Sequence, residues 1–212
     1  MTLDNLEGKL GDGLGRENEP AIVTPQRRFS NIIGFDDAPF TPAYRGPVPV
    51  VGAVFARLQL AGVIVGEVEK DGHDAAEQLV RLIAGSKFAG HLQLVMLQGI
   101  ALAGFNVVDV FYLHEQLGLP VLVVARKAPD MAAVQNALLG QIQGGLEKWD
   151  LIEKLGPMEP AGSVYIQRIG LSLEEAQVVV TQFAVHGHVP EPLRTAHLIA
   201  GAIVDGQSRG RT

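Results

Sequence analysis

The chain contains no cysteine. This absence excludes disulfide frameworks and metal centres built on thiolates. A catalytic metal would need oxygen or imidazole ligands, which favours Mg²⁺ or Mn²⁺ over structural zinc. Charged residues are also scarce, at 19% of 212 residues, whereas hydrophobic residues make up 47%. These proportions predict a globular protein with one well-cored domain, or at most two small ones.

Long apolar runs are missing as well. The longest apolar stretch, Leu92 to Val108, is interrupted by Gln93, Gln98 and Asn106, which makes it short and polar for a membrane span. The N-terminus has no basic segment followed by an apolar core, so we expect no signal peptide. We therefore expect a cytoplasmic protein without membrane contact, and the sequence leaves its oligomeric state open.

Several other signals are absent. The formal net charge of −6 argues mildly against an extended surface that coats nucleic acid. It does not exclude a nuclease, because carboxylates that bind metal are themselves negative. Gly140, Gly144 and Gly145 do not form a Walker or dinucleotide fingerprint, and no serine lies in a nucleophile elbow.

The apolar pattern predicts the order of strands and helices. We expect residues 1–26 to be a leader, which could be flexible, and residues 27–212 to form a single domain. Strands are predicted over 29–35, 48–56, 61–68, 92–97, 120–125 and 164–169. Helices are predicted over 73–86, 104–117, 129–143 and 146–155, after Ser172 in a capping box with Glu175, and over 191–204.

This order predicts an α/β fold with a mixed sheet and flanking helices. The first three strands follow one another closely, with a hairpin between the second and third, so they form an antiparallel meander, and αβ units come after it. That is the layout of ribonuclease H-like folds. A doubly wound parallel fold is the main alternative, but its first three strands would need helical crossovers that are missing here.

The most informative motif is Gly34-Phe35-Asp36-Asp37-Ala38, where two carboxylates follow an apolar strand. Side chains alternate along a strand, so one acid is expected to face a site and the other to support the turn. A bound Mg²⁺ or Mn²⁺ would remove the repulsion between them. An acidic turn without a metal is an equally simple interpretation.

Two further motifs carry acids near predicted helices. Asp71 and Asp74 precede the first helix, where Asp74 suits the helix dipole and a plain capping role is the alternative to metal binding. Asn106 and Asp109 are spaced three apart and would share one face of the predicted helix over 104–117. An acid among valines needs a partner or a metal if it is buried, and a surface-facing aspartate is the alternative.

The last motif, Pro190 to His197, opens the final predicted helix. Arg194 suits a phosphate, and His197 suits proton transfer or a contact to metal-bound water. A surface Arg–Glu pair with a histidine at the core edge is the alternative. Arg126 and Lys127 follow a strand at the edge where open α/β sheets bind ligands, but they are equally a solvated loop. His186 and His188 lie in a turn and are interpreted as surface residues.

The segments GFDDAPF (34–40), DGHDA (71–75), QGIALAGFNVVD (98–109) and PEPLRTAHLIA (190–200) resemble the endonuclease dU family. That family is related to endonuclease V, whose fold is ribonuclease H-like. The resemblance runs from about Arg27 to Arg211. It implies that Asp36 is the primary metal ligand, that a second acid falls at Asp71 or Asp74, and that His197 is a late active-site residue.

One departure from the endonuclease V pattern concerns the central strand. Met96-Leu97-Gln98-Gly99 stands where Asp-Gly-His-Gly is expected, so the expected carboxylate is absent, and Asp109 could replace it from the adjacent helix. The wedge that endonuclease V uses to probe damaged bases is not recognisable either. The family name nevertheless implies deoxyuridine in DNA as the substrate.

The leading hypothesis is therefore an endonuclease that uses Mg²⁺ or Mn²⁺ to cleave nucleic acid, with DNA containing a deaminated base as the expected substrate. A non-catalytic nucleic-acid-binding or scaffold relative is the competing hypothesis, and a hydrolase of small nucleotides is a third. The expected catalytic residues are Asp36, Asp74, Asp109 and His197, and the expected metal ligands are Asp36, Asp71, Asp74 and Asp109. The expected substrate contacts are Arg194, Arg126, Lys127 and Asn106, with Asp37 and Glu191 as supporting residues.

Overall fold

The computed structural model describes residues 27–208, so the predicted leader over 1–26 lies outside the described residues. The strands are β1 (Asn31–Asp37), β2 (Pro47–Ala56), β3 (Gln59–Glu69), β4 (Leu94–Gln98), β5 (Ala101–Leu102), β6 (Asn106–Val107), β7 (Val121–Ala125), β8 (Glu159–Ala161) and β9 (Val164–Ile169). The helices are α1 (Ala75–Ala84), α2 (Val110–Leu117), α3 (Met131–Gln141), α4 (Gly145–Leu155), α5 (Leu173–Phe183) and α6 (Glu191–Asp205).

Seven of the strands form one mixed sheet in the order β3-β2-β1-β4-β7-β9-β8. Strands β1, β2 and β3 pair antiparallel, β4 and β7 continue the sheet parallel to β1, and β9 turns antiparallel again. The predicted meander followed by αβ units is confirmed, and the doubly wound alternative is wrong. None of the helices between residues 27 and 208 combines the length and the apolar character that a membrane span requires.

The predicted helix over 104–117 is wrong in its first half. Residues 101–102 and 106–107 pair as a small separate ribbon, and the chain turns between them at Ala103 and Gly104, which both have positive φ. The helix begins only at Val110, because Asp109 stops the extended chain there and accepts the backbone N–H groups of Phe111 and Tyr112. Asn106 and Asp109 therefore do not share a helical face.

Strand β8 has no counterpart among the predicted elements. Within residues 27–208 it pairs only with β9, at the edge of the sheet. Its central residue, Pro160, fits this position because proline has no backbone N–H to donate to a further strand.

Helix α6 lies directly on β1 at Gly34. A Cβ atom at position 34 would come within 2.6 Å of the Pro192 carbonyl carbon and 2.7 Å of the Leu193 nitrogen. These are backbone atoms, which cannot rotate away. Glycine at this position therefore permits a backbone-to-backbone approach that any side chain would prevent.

The pairing register decides which face of the sheet each acid of β1 occupies. Gly66 of β3 faces Leu82 of α1. Gly66 pairs with Val50, and Val50 pairs with Asp37, and residues that pair directly share a face. Asp37 thus lies on the α1 face, whereas its neighbour Asp36 lies on the face covered by α6.

The capping box predicted at the start of α5 is confirmed. Glu175 donates its backbone N–H to Ser172 Oγ at 3.1 Å and accepts the Ser172 N–H at 2.9 Å. Arg27 donates from Nε and Nη2 to the same carboxylate at 2.9 and 2.8 Å. These hydrogen bonds from Arg27 are the main cause that lowers the pKa of Glu175 from 4.5 to about 2.

Replacing Gly34 by alanine is expected to destabilise the protein by about 1–3 kcal/mol, because the added methyl group must push α6 away from β1. Urea denaturation of the Gly34→Ala variant measures this loss in the free energy of unfolding. Gly140→Ala is the matched control, since nothing lies within 4 Å of its added Cβ and alanine favours helix α3 by about 0.5–1 kcal/mol. Equal stability changes in the two variants would contradict the close packing at Gly34.

The low pKa of Glu175 predicts a pH dependence of stability. The folded-state pKa lies below the unfolded value, so the carboxylate stabilises the fold above about pH 4.5, and this contribution disappears as the pH falls towards 2. In Glu175→Gln the decline of the unfolding free energy across this interval is expected to be shallower than in the wild type. Denaturation at a series of pH values measures it, with Glu115→Gln as an exposed control. An unchanged slope would count against the Arg27–Glu175 contact.

Candidate active site

Asp36 and His197 meet at the carboxyl end of β1. His197 Nδ1 donates to Asp36 Oδ2 at 2.7 Å across 161 positions of sequence. Since a carboxylate can only accept, Nδ1 carries a proton and Nε2 is the ring nitrogen free for other contacts. The hydrogen bond raises the pKa of His197, against a lowering by burial. Asp36 itself is only 5% exposed.

Asp37 lies next to this pair on the other face of β1. Burial and the adjacent charge of Asp36 raise the pKa of Asp37 to about 6, although the backbone N–H groups of Ala103 and of Asp37 itself and the His197 ring act in the opposite direction. A carboxyl group with this pKa lacks a full compensating charge. A cation at this end of β1 would supply that charge.

Gln98 provides a third oxygen at the same edge of the sheet. Strands β1 and β4 run parallel with Phe35 opposite Leu97, so the next residues, Asp36 and Gln98, lie side by side on one face. Gln98 Oε1 is buried and has no hydrogen-bond partner among the described residues. Because buried polar atoms are nearly always paired, this orphan oxygen suggests a missing partner.

The donor atoms fit a small hard cation only in part. Asp36 and Gln98 offer oxygen ligands, as Mg²⁺ prefers, and Mg²⁺ is commonly held by one or two carboxylates with water completing its shell. However, no three histidine, aspartate or glutamate side chains between residues 27 and 208 form a group that could hold a metal. The predicted shared cluster of Asp36, Asp71, Asp74 and Asp109 is therefore not present as such.

Asp74 and Asn106 serve the backbone around α1. Asp74 Oδ1 accepts from the Glu69 N–H and from Asn106 Nδ2, and Asn106 Oδ1 accepts the N–H of Ala75 at the start of the helix. Asn106 is completely buried, so it cannot contact a substrate, and that prediction is wrong. Its three hydrogen bonds instead satisfy groups that would otherwise be buried without partners.

Asp109 also has a local task, as the cap of α2 described above. Both of the backbone N–H groups that it binds go to its Oδ1 atom. No hydrogen bond or ion pair within residues 27–208 joins it to Asp36. Its predicted replacement of the missing carboxylate on β4 is therefore not supported, and Gln98 occupies that place beside Asp36.

Asp71 supports Asp37 through a strained turn. Asp71 has φ of 55° and Ala103 has φ of 48°, values that cost about 1–3 kcal/mol for a residue other than glycine. The Asp71 N–H donates to the Ala103 carbonyl at 2.9 Å, and Asp71 Oδ1 accepts the Phe105 N–H at 2.9 Å. The Ala103 N–H is in turn close enough to Asp37 to lower its pKa.

Lys148 of α4 stabilises the turn at Asp71. Its side chain is buried, and Nζ donates to the carbonyl oxygen of Asp71 at 2.7 Å. Burial lowers the pKa of Lys148, while the Asp71 carboxylate acts in the opposite direction. A continuous chain of contacts thus runs from Lys148 through Asp71 and Ala103 to Asp37.

Lys148→Met is expected to cost about 1–3 kcal/mol of stability, because it leaves the Asp71 carbonyl without its buried partner. It should also loosen Ala103 and raise the pKa of Asp37 further, because the N–H that lowers that pKa is no longer held in place. Denaturation and NMR titration of the Asp37 carboxyl measure the two effects, and Lys127→Met at an exposed position is the control. An Asp37 titration identical to that of the wild type would exclude this support.

Arg126 and Arg194 line a cavity of about 260 Å³ beside His197. Arg126 follows β7, and its charge is near enough to His197 to lower the pKa of that ring. Arg194 lies one turn before His197 on α6 and donates to Glu191 Oε2 at 3.2 Å. Lys127 is exposed and is not among the residues that line this cavity.

Three further polar residues line this cavity, and the sequence predicted a functional site at none of them: Ser163, His186 and His188. Both histidines are exposed, as predicted, but the fold places them in the same cavity as Arg126. His186 donates through its backbone N–H and Nδ1 to Glu191 Oε1 at 3.0 and 3.1 Å. The only signal in the sequence is the His-Gly-His spacing just before Pro190, and it becomes meaningful only in three dimensions.

Three antiparallel strands followed by αβ units in one mixed sheet make a ribonuclease H-like fold, and solved endonuclease V structures share this fold. The Ciona intestinalis endonuclease V, solved in complex with a 23mer DNA containing an inosine followed by a ribo-adenosine, has a TM-score of 0.52 at 14% identity, over 80% of this chain and 83% of that one. The Streptomyces avermitilis endonuclease V has a TM-score of 0.50 at 17% identity, over 86% and 85% of the two chains.

The sequence itself assigns the family. The family described as Endonuclease dU matches residues 28–204, and the chain belongs to it. A UPF0215 protein of Deinococcus radiodurans is 53% identical over 184 residues, which cover 87% of this chain and 94% of the relative. One from Methanothermobacter thermautotrophicus is 41% identical over 183 residues, covering 84% and 90%. The crystal structure of a protein of unknown function from Archaeoglobus fulgidus has a TM-score of 0.76 at 33% identity, over 82% and 98% of the chains.

Proposed function

We propose that the protein is a metal-dependent endonuclease that cleaves nucleic acid, with DNA containing a deaminated base such as deoxyuridine as its substrate. The observation that carries the proposal is the hydrogen bond between Asp36 and His197, which lies beside the unpaired oxygen of Gln98 and the cationic cavity. The family description supports an endonuclease, and the DNA-bound endonuclease V of the same fold supports nucleic acid as the substrate class.

Asp36 and Gln98 are the residues that would hold Mg²⁺ or Mn²⁺, with Asp37 close by. When bound, the metal would activate water and stabilise negative charge on the phosphate. The raised pKa of Asp37 and the orphan oxygen of Gln98 support a cation at this position. Asp71 has a structural role, because it supports the turn at Ala103. Asp74 and Asp109 have structural roles through their hydrogen bonds to the backbone.

The remaining residues position the phosphate and transfer the proton. Asp36 orients the His197 ring, so that Nε2 is available to accept or return a proton at the reacting phosphate. The guanidinium groups of Arg126 and Arg194 neutralise phosphate oxygens, for which their planar donor pattern is well suited. Glu191 holds Arg194 in place.

A non-catalytic nucleic-acid-binding relative is the second candidate. It is favoured by one observation, that residues 27–208 contain no group of three acidic or histidine ligands for a metal. Such a protein would use the same cationic cavity for binding but would leave the strand intact. Cleavage and binding experiments separate the two.

Labelled duplexes with deoxyuridine, deoxyinosine or no lesion test the proposal in Mg²⁺, Mn²⁺ or EDTA. Wild-type protein is expected to nick a lesion-containing duplex only with metal. Asp36→Asn should slow this on the order of 100-fold or more, because it weakens both the metal site and the orientation of His197. Asp150→Asn, an exposed change on α4, is the control. Binding without cleavage in any condition would favour the non-catalytic candidate.

The Gln98→Leu variant tests whether Gln98 is a metal ligand or a structural residue. Loss of an unpaired buried oxygen should leave the free energy of unfolding unchanged or raise it, whereas metal binding should weaken. Thermal unfolding with and without Mn²⁺ measures both effects, since a ligand at 100 times its Kd stabilises by about 2.7 kcal/mol. Gln177→Leu on the exposed side of α5 is the control. If Mn²⁺ stabilised Gln98→Leu as much as it stabilises the wild type, Gln98 would not be a metal ligand.

A further inference from the structure

The cavity beside His197 is cationic in a protein with an excess of acidic residues. Two arginines and three histidines line it, and no aspartate or glutamate of residues 27–208 does so. The whole chain, in contrast, carries a formal charge of −6. Positive groups concentrated in one concave site of an acidic protein indicate an anionic ligand.

The wall of this cavity is held in a defined arrangement. Glu191 is only 7% exposed and accepts hydrogen bonds from two residues that line the cavity, His186 and Arg194. In a charged imidazole both nitrogens donate, so His186 can bind Glu191 through Nδ1 and offer Nε2 to an anion. Arg194 retains a buried Nε without a partner among the described residues.

The cavity extends beyond the reach of the cleaved phosphate. His197 lies six positions after Glu191 on α6, a rise of about 9 Å along the helix axis at 1.5 Å per residue. His197 contacts Asp36 at one end of this path, and His186 contacts Glu191 at the other. A nucleic-acid strand advances by about 3.4 Å per nucleotide along its axis, so the path is long enough for the cleaved phosphate and at least one further phosphate of the same strand.

We propose that His186 and His188, with Ser163, form a subsite for a backbone phosphate that neighbours the cleaved one. Arg126, Arg194 and His197 contact the cleaved phosphate, and the histidine turn before α6 holds the next phosphate on that side of the strand. This assignment rests on the proposed function and adds positioning residues to it. The turn fixes the register of the strand, and through it the bond that reaches Asp36.

A double-mutant cycle between protein and substrate tests the subsite. The probes are fluorescent deoxyuridine duplexes in which one phosphate at a time near the lesion is replaced by an uncharged methylphosphonate. Binding is measured by anisotropy in EDTA at constant low salt, because phosphate contacts depend strongly on salt. The proteins are the wild type, His186→Gln/His188→Gln and the control His91→Gln, which lies at the amino end of β4. The three substituted histidines are exposed, so the fold should persist, and circular dichroism checks it.

Removing one particular phosphate charge is expected to weaken wild-type and His91→Gln binding roughly tenfold, the effect of one charge-assisted hydrogen bond. The same replacement should have no further effect on the double variant. Equal losses in all three proteins at every position would overturn the subsite and leave the proposed nuclease function intact. If the wild type bound none of the duplexes and cleaved none with metal, both proposals would be overturned.

Discussion

Helix α6 approaches β1 so closely at Gly34 that backbone atoms of the two elements are in contact, and the position of the candidate site depends on this approach. His197 lies further along the same helix and reaches Asp36 at 2.7 Å. Hydrogen bonds of this kind weaken steeply when the donor and acceptor move apart. A side chain at position 34 would therefore act on the site without touching it. Arg194 and Glu191, on the preceding turns of α6, are positioned by the same contact.

Much of this arrangement could be predicted from local sequence. The alternation of side chains along β1 places Asp36 and Asp37 on opposite faces, and the pairing register confirms it. The capping box at Ser172 and the helix that opens at Glu191 are equally local, since each depends on residues within one turn. Such features follow from backbone geometry, which nearby residues determine.

The segment from Ile100 to Asp109 could not be predicted in this way. Its apolar spacing is compatible with a helix, but distant partners decide the outcome. Asp71 accepts a hydrogen bond from the Phe105 N–H, and the Asn106 side chain forms hydrogen bonds with Ala75 and Asp74 at the start of α1. The roles of Asp71, Asp74 and Asp109 could not be predicted either, because they also depend on distant partners. An aspartate that caps a helix, as Asp109 does, can have the same neighbouring residues in sequence as an aspartate that binds a metal. Only the residues near it in three dimensions distinguish the two roles.

The turn at Asp71 and Ala103 shows how the fold maintains an unfavourable backbone conformation close to Asp37. Two left-handed residues other than glycine are joined to each other by a hydrogen bond. Lys148 reaches them from a helix that packs mainly against α3 and β9. The α3–α4 hairpin, which contributes no candidate catalytic residue, thereby contributes to the geometry of the β1 terminus.

The long sequence separation between Asp36 and His197 has a consequence for the protein during its synthesis. The strands β1, β2 and β3 can pair as soon as they leave the ribosome, because their contacts are local. Helix α6 emerges more than a hundred residues later, and a domain is completed only when its last element docks. Until then the imidazole is missing, and a nascent chain carries the acids of β1 without their partner. Cleavage chemistry that needs both residues would thus be withheld from every unfinished copy.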